Sequence, residues 1–133
     1  MSSLKVIIDL QPLRRMKELL KKSLTKREEE KLDELGEMGA IQAFEVSYEL
    51  AWHTLQKLLN QQGAQVRNPR DTFRLAAQWG YIDDPQPWFD FGKERNLASH
   101  AYREDILTEI YNVLPKFIQE FESLIKNLEN KAK

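Results

Sequence analysis

Residues 33–62, DELGEMGAIQAFEVSYELAWHTLQKLLNQQ, place Ile41, Phe44, Tyr48, Ala51, Leu55 and Leu58 at spacings that alternate between three and four. Such spacing returns to one side of a 3.6-residue helix, so this stretch predicts a long amphipathic helix with a single buried face. It should start around Asp33 and end near Gln62, because Gly63 can take the positive φ that closes a helix C-terminus. Upstream, Leu13, Met16, Leu20 and Leu24 repeat the period, and Pro12 suits a first helical turn, where a missing N–H costs nothing. Downstream, Asn68-Pro69 reads as a cap and a first-turn proline, opening a short helix through Phe73, Ala76 and Ala77 that stops at Gly80.

Asp83-Asp84-Pro85-Gln86-Pro87 is the next boundary, predicting a helix that begins near Pro87 and carries Trp88, Phe91, Arg95 and His100. In the last helix Leu107, Tyr111, Leu114, Ile118, Phe121, Ile125 and Leu128 form one stripe, with Ile106, Ile110, Val113, Phe117 and Leu124 beside it. A face this wide needs more than one neighbour and leaves room for a second subunit, so a homodimer is expected. Pro115 lies within the pattern and predicts a kink. Apart from Val6 to Ile8, which is ambiguous, no stretch alternates as a strand would. The expectation is an all-α, up-and-down antiparallel bundle of four main helices and a short one, with a tail over 1–9 and a single domain over 10–131.

Composition agrees with one compact unit. The chain has 133 residues, 41% of them hydrophobic, and at this length roughly two-thirds of the unfolded surface can be buried without covalent staples. With no cysteine, disulfide frameworks and thiolate chemistry are excluded; with two histidines, metal clusters lack parts, and neither a metal nor a cofactor is expected. No apolar run near the start is long enough for a signal peptide or a membrane span, which makes a cytoplasmic location the expectation and a membrane an unexpected partner. The formal charge of -1 does not mark a bulk nucleic-acid binder. Charge is uneven, however: residues 1–27 hold eight basic and two acidic side chains and residues 28–49 one basic and eight acidic, as if the first two helices paired across their solvent edges.

The residues richest in proton-transfer and phosphate-binding groups run from Lys93 to Arg103. On an ideal helix Ser99 and Tyr102 lie about 40° and 20° from Arg95, with Asn96 and His100 on the neighbouring stripe, whereas Arg95 and His100 are about 140° apart. For these two to act together, the helix end must distort, the long arginine must bend round, or the site must be completed across a dimer axis. A structural histidine beside a salt-bridged arginine is the other reading of the same spacing.

Arg95, four residues, His100, one residue and Tyr102 form Arg-x4-His-x-Tyr, and the chain also carries Ile41-Gln42, Phe44-Glu45, Glu49-Leu50-Ala51-Trp52, Gly63, Pro69-Arg70 and Trp88. Together these phrases resemble HEPN-domain proteins, in the branch called nucleotidyltransferase substrate-binding proteins, over roughly residues 10–128. The resemblance implies a dimerising helical bundle that works with a minimal nucleotidyltransferase, and two functions compete. One is a toxin of a toxin-antitoxin pair, a metal-independent endoribonuclease leaving 2′,3′-cyclic phosphate ends and neutralised when the partner transfers AMP to Tyr102. The other is a non-catalytic subunit that presents a nucleotide or other substrate to the transferase.

Residue chemistry leans to the first. His100 can take the proton of a ribose 2′-hydroxyl near neutral pH, and the guanidinium fork of Arg95 can stabilise charge on the phosphoryl oxygens without a metal. Asn96 and, more weakly, Ser99 are supporting candidates. Glu45 and Glu49, on a stripe with Trp52, could pair with Arg95 or simply be solvated. Trp52 and Trp88 read as packing, and His53 as a surface or boundary residue. Arg67, Arg70 and Arg74 gather at the start of the third helix and, with Arg103, are candidates for contacting RNA or the partner protein.

Overall fold

The computed structural model describes residues 8–131. It contains α1 (Gln11–Glu28), α2 (Glu34–Gln61), α3 (Pro69–Gln78), α4 (Gln86–Leu97) and α5 (Glu104–Lys131), with a 3₁₀ turn over Ala98–His100; among the described residues there is no strand. Val6 and Ile7 of the ambiguous stretch, and most of the expected tail, lie outside the described residues.

Local chemistry explains the boundaries. Asp33 caps α2 by accepting from the Gly36 N–H at 2.8 Å, and Asn68 caps α3 by accepting from the Asp71 N–H at 2.9 Å. Gly63 and Gly80, at φ 103° and 81°, end α2 and α3. In both cases the next residue's N–H returns to the carbonyl five residues back, Ala64 to Leu59 and Tyr81 to Ala76. α1 closes in the same way at Glu30, which adopts φ 59° without being a glycine. α5 continues through Pro115.

The bundle directions follow from paired side chains. Arg14 meets Glu129 at 2.7 Å and Lys21 meets Glu122 at 3.1 Å, so α1 runs antiparallel to α5. The Tyr111 hydroxyl donates to the Glu37 carbonyl, and Phe44 meets Phe117 edge-on at 4.9 Å, so α2 and α5 run in step as a diagonal pair. α4 returns along α2, bringing Arg95 to Glu49. This is the up-and-down arrangement expected from the short connections. Phe117 is the hub: besides Phe44 its ring meets Trp88, Phe91 and Phe121, and all five are fully or almost fully buried.

Three sequence expectations need correction. The second apolar stripe of α5 is used inside the chain, with Ile110, Phe117 and Leu124 at 0% exposure, so the width of this helix does not by itself leave a surface for a second copy. The cations of α1 do not mainly face α2: Arg27 reaches Glu37 at 3.5 Å, whereas Arg14 and Lys21 bind α5, because α1 lies against both helices. Finally, α4 starts one residue early, at Gln86, and ends at Leu97, so it does not carry His100. The shared helical stripe of Arg95, Ser99 and Tyr102 is therefore broken by the tighter turn.

Candidate functional site

Arg95 occupies the last turn of α4 and Glu49 the facing side of α2. Glu49 Oε1 lies 3.4 Å from Arg95 Nη2, while Glu49 Oε2 accepts the Trp52 indole N–H at 2.9 Å. One carboxylate thus fixes an arginine from another helix and a tryptophan one turn along its own. Both charged side chains are little more than one-third exposed, and Arg95 Nε is buried without a hydrogen-bond partner. Beneath them the Tyr48 phenol is pushed up to about 12 by burial and then by Glu49, with Arg95 opposing.

α4 passes so close to Tyr48 that a Cβ on Gly92 would stand 2.7 Å from the tyrosine hydroxyl. The lack of a side chain there sets the separation of α2 and α4, and thereby the reach of Arg95 to Glu49. Arg95 lies between two clefts. One, of about 260 Å³, is lined by Gln42, Glu45, Val46 and His53 together with Glu49 and Arg95. The other, of about 420 Å³, opens towards the start of α3.

His100 ends the 3₁₀ turn and is exposed, as are Ser99 and Asn96. Tyr102 is 75% exposed and its ring lies edge-on to His100 at 6.3 Å between centroids. The α4 terminus therefore joins Arg95 to Glu49 and Trp52, and His100 to Tyr102, and no hydrogen bond or ring contact among the described residues ties one pair to the other. Of the further cations, Arg103 is paired in two-point fashion with Asp105 and Arg74 lies 3.7 Å from Asp71. Arg67 and Arg70 are exposed at the α3 entry.

Two residues acquire a place here that the sequence reading did not give them. His53 lies against Trp52 with the two rings tilted by 33° and their centroids 4.0 Å apart, and lines the smaller cleft with Arg95. Glu94, next to Arg95, has Oε1 buried without a partner, and its carboxyl is pushed up to about 7 by burial first and then by Glu109 and Asp90. Proximity of Glu94 to the motif was visible; the opposing Glu109, fifteen positions on, was not. Trp52 is also only partly buried, so it is not a plain packing residue, whereas Trp88 is fully enclosed.

Among the described residues no three His, Cys, Asp or Glu side chains gather as a metal group, and no helix is long and apolar enough to cross a membrane. Residues 8–130 match the family described as nucleotidyltransferase substrate binding protein like. The chain belongs to that family. A Haemophilus influenzae relative described as a probable ribonuclease HepT is 29% identical over 98 residues, covering 70% of this chain and 67% of its own.

Two solved structures share the fold of this chain. A Haemophilus influenzae protein, described as revealing the fold of a substrate-binding domain of a nucleotidyltransferase, superposes with a TM-score of 0.81 at 23% identity, covering 91% of this chain and 99% of that one. A Thermus thermophilus protein superposes with a TM-score of 0.77 at 24% identity, covering 87% and 98%. At these identities the likeness is one of fold. The family's helical bundle is thus the scaffold on which Arg95, His100 and Tyr102 sit, and a nucleotidyltransferase is the partner that the family description implies.

Proposed function

We propose that this family member is a metal-independent endoribonuclease, the HEPN component of a toxin-antitoxin pair with a minimal nucleotidyltransferase. The observation that carries the reading is the division of labour at the end of α4: Arg95 is held by Glu49 at the rim of two clefts, and His100 and Tyr102 are exposed on the turn that follows. In this reading His100 removes the 2′-hydroxyl proton, the 2′-oxygen attacks the adjacent phosphorus, and the bond to the 5′-oxygen breaks as that oxygen takes a proton. The product carries a 2′,3′-cyclic phosphate. Arg95 stabilises the charge that grows on the phosphoryl oxygens, with Asn96 and Ser99 near enough in sequence to support it. Because no hydrogen bond or ring contact among the described residues ties Arg95 to His100, the working site is completed in a homodimer whose two motifs face a shared groove.

Tyr102 supplies the control point. Its exposure leaves the ring open to a transferase, and an AMP on its hydroxyl adds a phosphodiester charge, a ribose and a base beside His100. The relative described as a probable ribonuclease supports the activity, and the family description supports the partner.

Purified protein is expected to cleave cellular RNA in EDTA, and His100→Ala and Arg95→Ala to lose about 10²–10⁴-fold in rate while remaining folded, the range typical of a lost proton-transfer or charge-stabilising group. Tyr102→Phe should cleave normally and take up no AMP from the partner and ATP, as read by intact mass. Absence of cleavage by the wild type, together with nucleotide binding and a faster partner transferase, would replace this reading with that of a substrate-presenting subunit.

A further inference from the structure

We infer that the larger cleft, between α2, the start of α3 and α4, is a subsite for one nucleotide of a single-stranded RNA, next to the phosphate held by Arg95; the inference rests on the ribonuclease reading for its position, and on the cleft itself for its chemistry. Six side chains make the argument: Trp52, Arg70, Phe89, Lys93, Arg95 and Asn96 all line it. Its volume of about 420 Å³ falls in the ~300–1,000 Å³ range of small-molecule sites.

Charge is the first reason. Arg70 and Lys93 come from different helices and converge on this cleft, and neither forms an ion pair among the described residues, whereas nearby Arg74, Arg95 and Arg103 are each held by a carboxylate. Arg95 Nε is buried and unpartnered as well. The protein brings three cationic side chains to one concavity and offers its single lining carboxylate, Glu49, to Arg95 and Trp52. An anion is the complement, and a phosphate matches the donor geometry of arginine.

Aromatic surface is the second. The Arg70 guanidinium lies 4.3 Å from the centroid of the half-buried Phe89 ring, and Trp52 is held in place by Glu49. Arginine planes and partly exposed aromatic rings are the surfaces on which unpaired bases stack, and an acidic peptide would have no use for them. The exposed amide of Asn96 can meet a base edge. Phosphate contacts at Arg70 and Lys93 with a base against Phe89 and Trp52 therefore account for features that bundle packing leaves unused.

The test uses the full chain carrying His100→Ala, so that binding is read without turnover, and a fluorescent single-stranded RNA titrated at several salt concentrations. Adding Arg70→Glu with Lys93→Glu should weaken binding at least tenfold and flatten the log–log salt slope by about 1.4, as expected for two lost phosphate contacts at ~0.7 each. Lys22→Glu with Lys126→Glu, the same charge change on exposed residues away from the cleft, should do neither. Phe89→Leu should weaken binding several-fold with the slope unchanged. Equal losses in the two double variants, or none in either, would overturn the subsite. Competition by AMP alone at concentrations where RNA is indifferent to Arg70 and Lys93 would assign the cleft to a free mononucleotide, and equal competition by polyglutamate would remove the base from the argument; each overturns the RNA assignment. If the wild type cleaves no RNA yet the cleft variants still lose RNA binding, the ribonuclease reading fails and the subsite stands.

Discussion

Glu49 serves two donors with one carboxylate, and what it contributes is orientation more than stability. An ion pair this exposed is worth about 0–1 kcal/mol, so Glu49→Ala should shift the melting temperature only slightly. Released from it, Arg95 and Trp52 both lose their fixed partner, and RNA cleavage should fall about tenfold, equivalent to about 1.4 kcal/mol of transition-state stabilisation. A change in kcat with KM nearly constant distinguishes positioning from lost binding; Glu49→Gln, which keeps an acceptor, should recover part of the rate. Glu94 gives a second residue-scale expectation. Folded protein holds its proton up to about pH 7, whereas an unfolded glutamate releases it near 4.5. Between those values the native state binds more protons than the unfolded state at this site, so the contribution of Glu94 to stability is most favourable below about 4.5, declines as pH rises through the window and levels off above it. Glu94→Gln keeps the neutral form, and its melting temperature should exceed that of the wild type by a margin that grows from pH 4.5 to pH 8; a constant difference would mean that the proton on Glu94 is not the cause.

At the scale of elements, α4 is set by what it lacks. Glycine inside a helix costs about 1 kcal/mol relative to alanine, so Gly92 needs a reason, and the Tyr48 hydroxyl provides one. Gly92→Ala should destabilise the protein by about 1–3 kcal/mol in chemical denaturation, because a nearly buried, stiff ring has to move. In a Tyr48→Phe background the overlapping oxygen is gone, and the same substitution should become neutral or stabilising. The asymmetry of the cycle reports α2–α4 contact directly. The helix ends show what was legible at this scale: Asn68, Gly63 and Gly80 announced caps and stops that the structure realises, but Glu30 takes a positive φ with no residue-type signal. The end of α4 was equally unreadable. Nothing in Asn96-Leu97-Ala98-Ser99 breaks a helix, and the change to a 3₁₀ turn comes as Ala98 and Ala101 are buried against the bundle.

For the whole molecule, Phe117 ties α4 and the diagonal pair α2 and α5 into one core. Phe117→Ala should cost about 3–5 kcal/mol, the range for a buried phenylalanine left as a cavity, with fluorescence and circular dichroism melting together at a lower temperature. The same variant should lose RNA cleavage only as far as it unfolds, since the ring lies in the core and not in either cleft. Separate transitions for the two probes would show that α4 unfolds independently of the α1, α2 and α5 layer.

Hydrophobic period, capping residues and prolines are local signals, and by themselves they determined the helical class, the order and approximate ends of the helices, and the up-and-down arrangement that short connections impose. The motif likewise put Arg95, His100 and Tyr102 forward as site candidates. What only the tertiary structure decided was which side chains meet. Glu49 and Arg95 are forty-six positions apart, Glu94 and Glu109 fifteen, and Arg70 and Lys93 twenty-three. Their encounters depend on helix rotation, separation and register, quantities set by Gly92 against Tyr48 and by the packing around Phe117. For that reason the width of α5 suggested a free face where the bundle buries Ile110, Phe117 and Leu124, and the charges of α1 suggested a partner in α2 when Arg14 and Lys21 reach α5 and Arg27 reaches α2. A periodic pattern states that a face will be covered; the three-dimensional packing of the remaining helices selects what covers it.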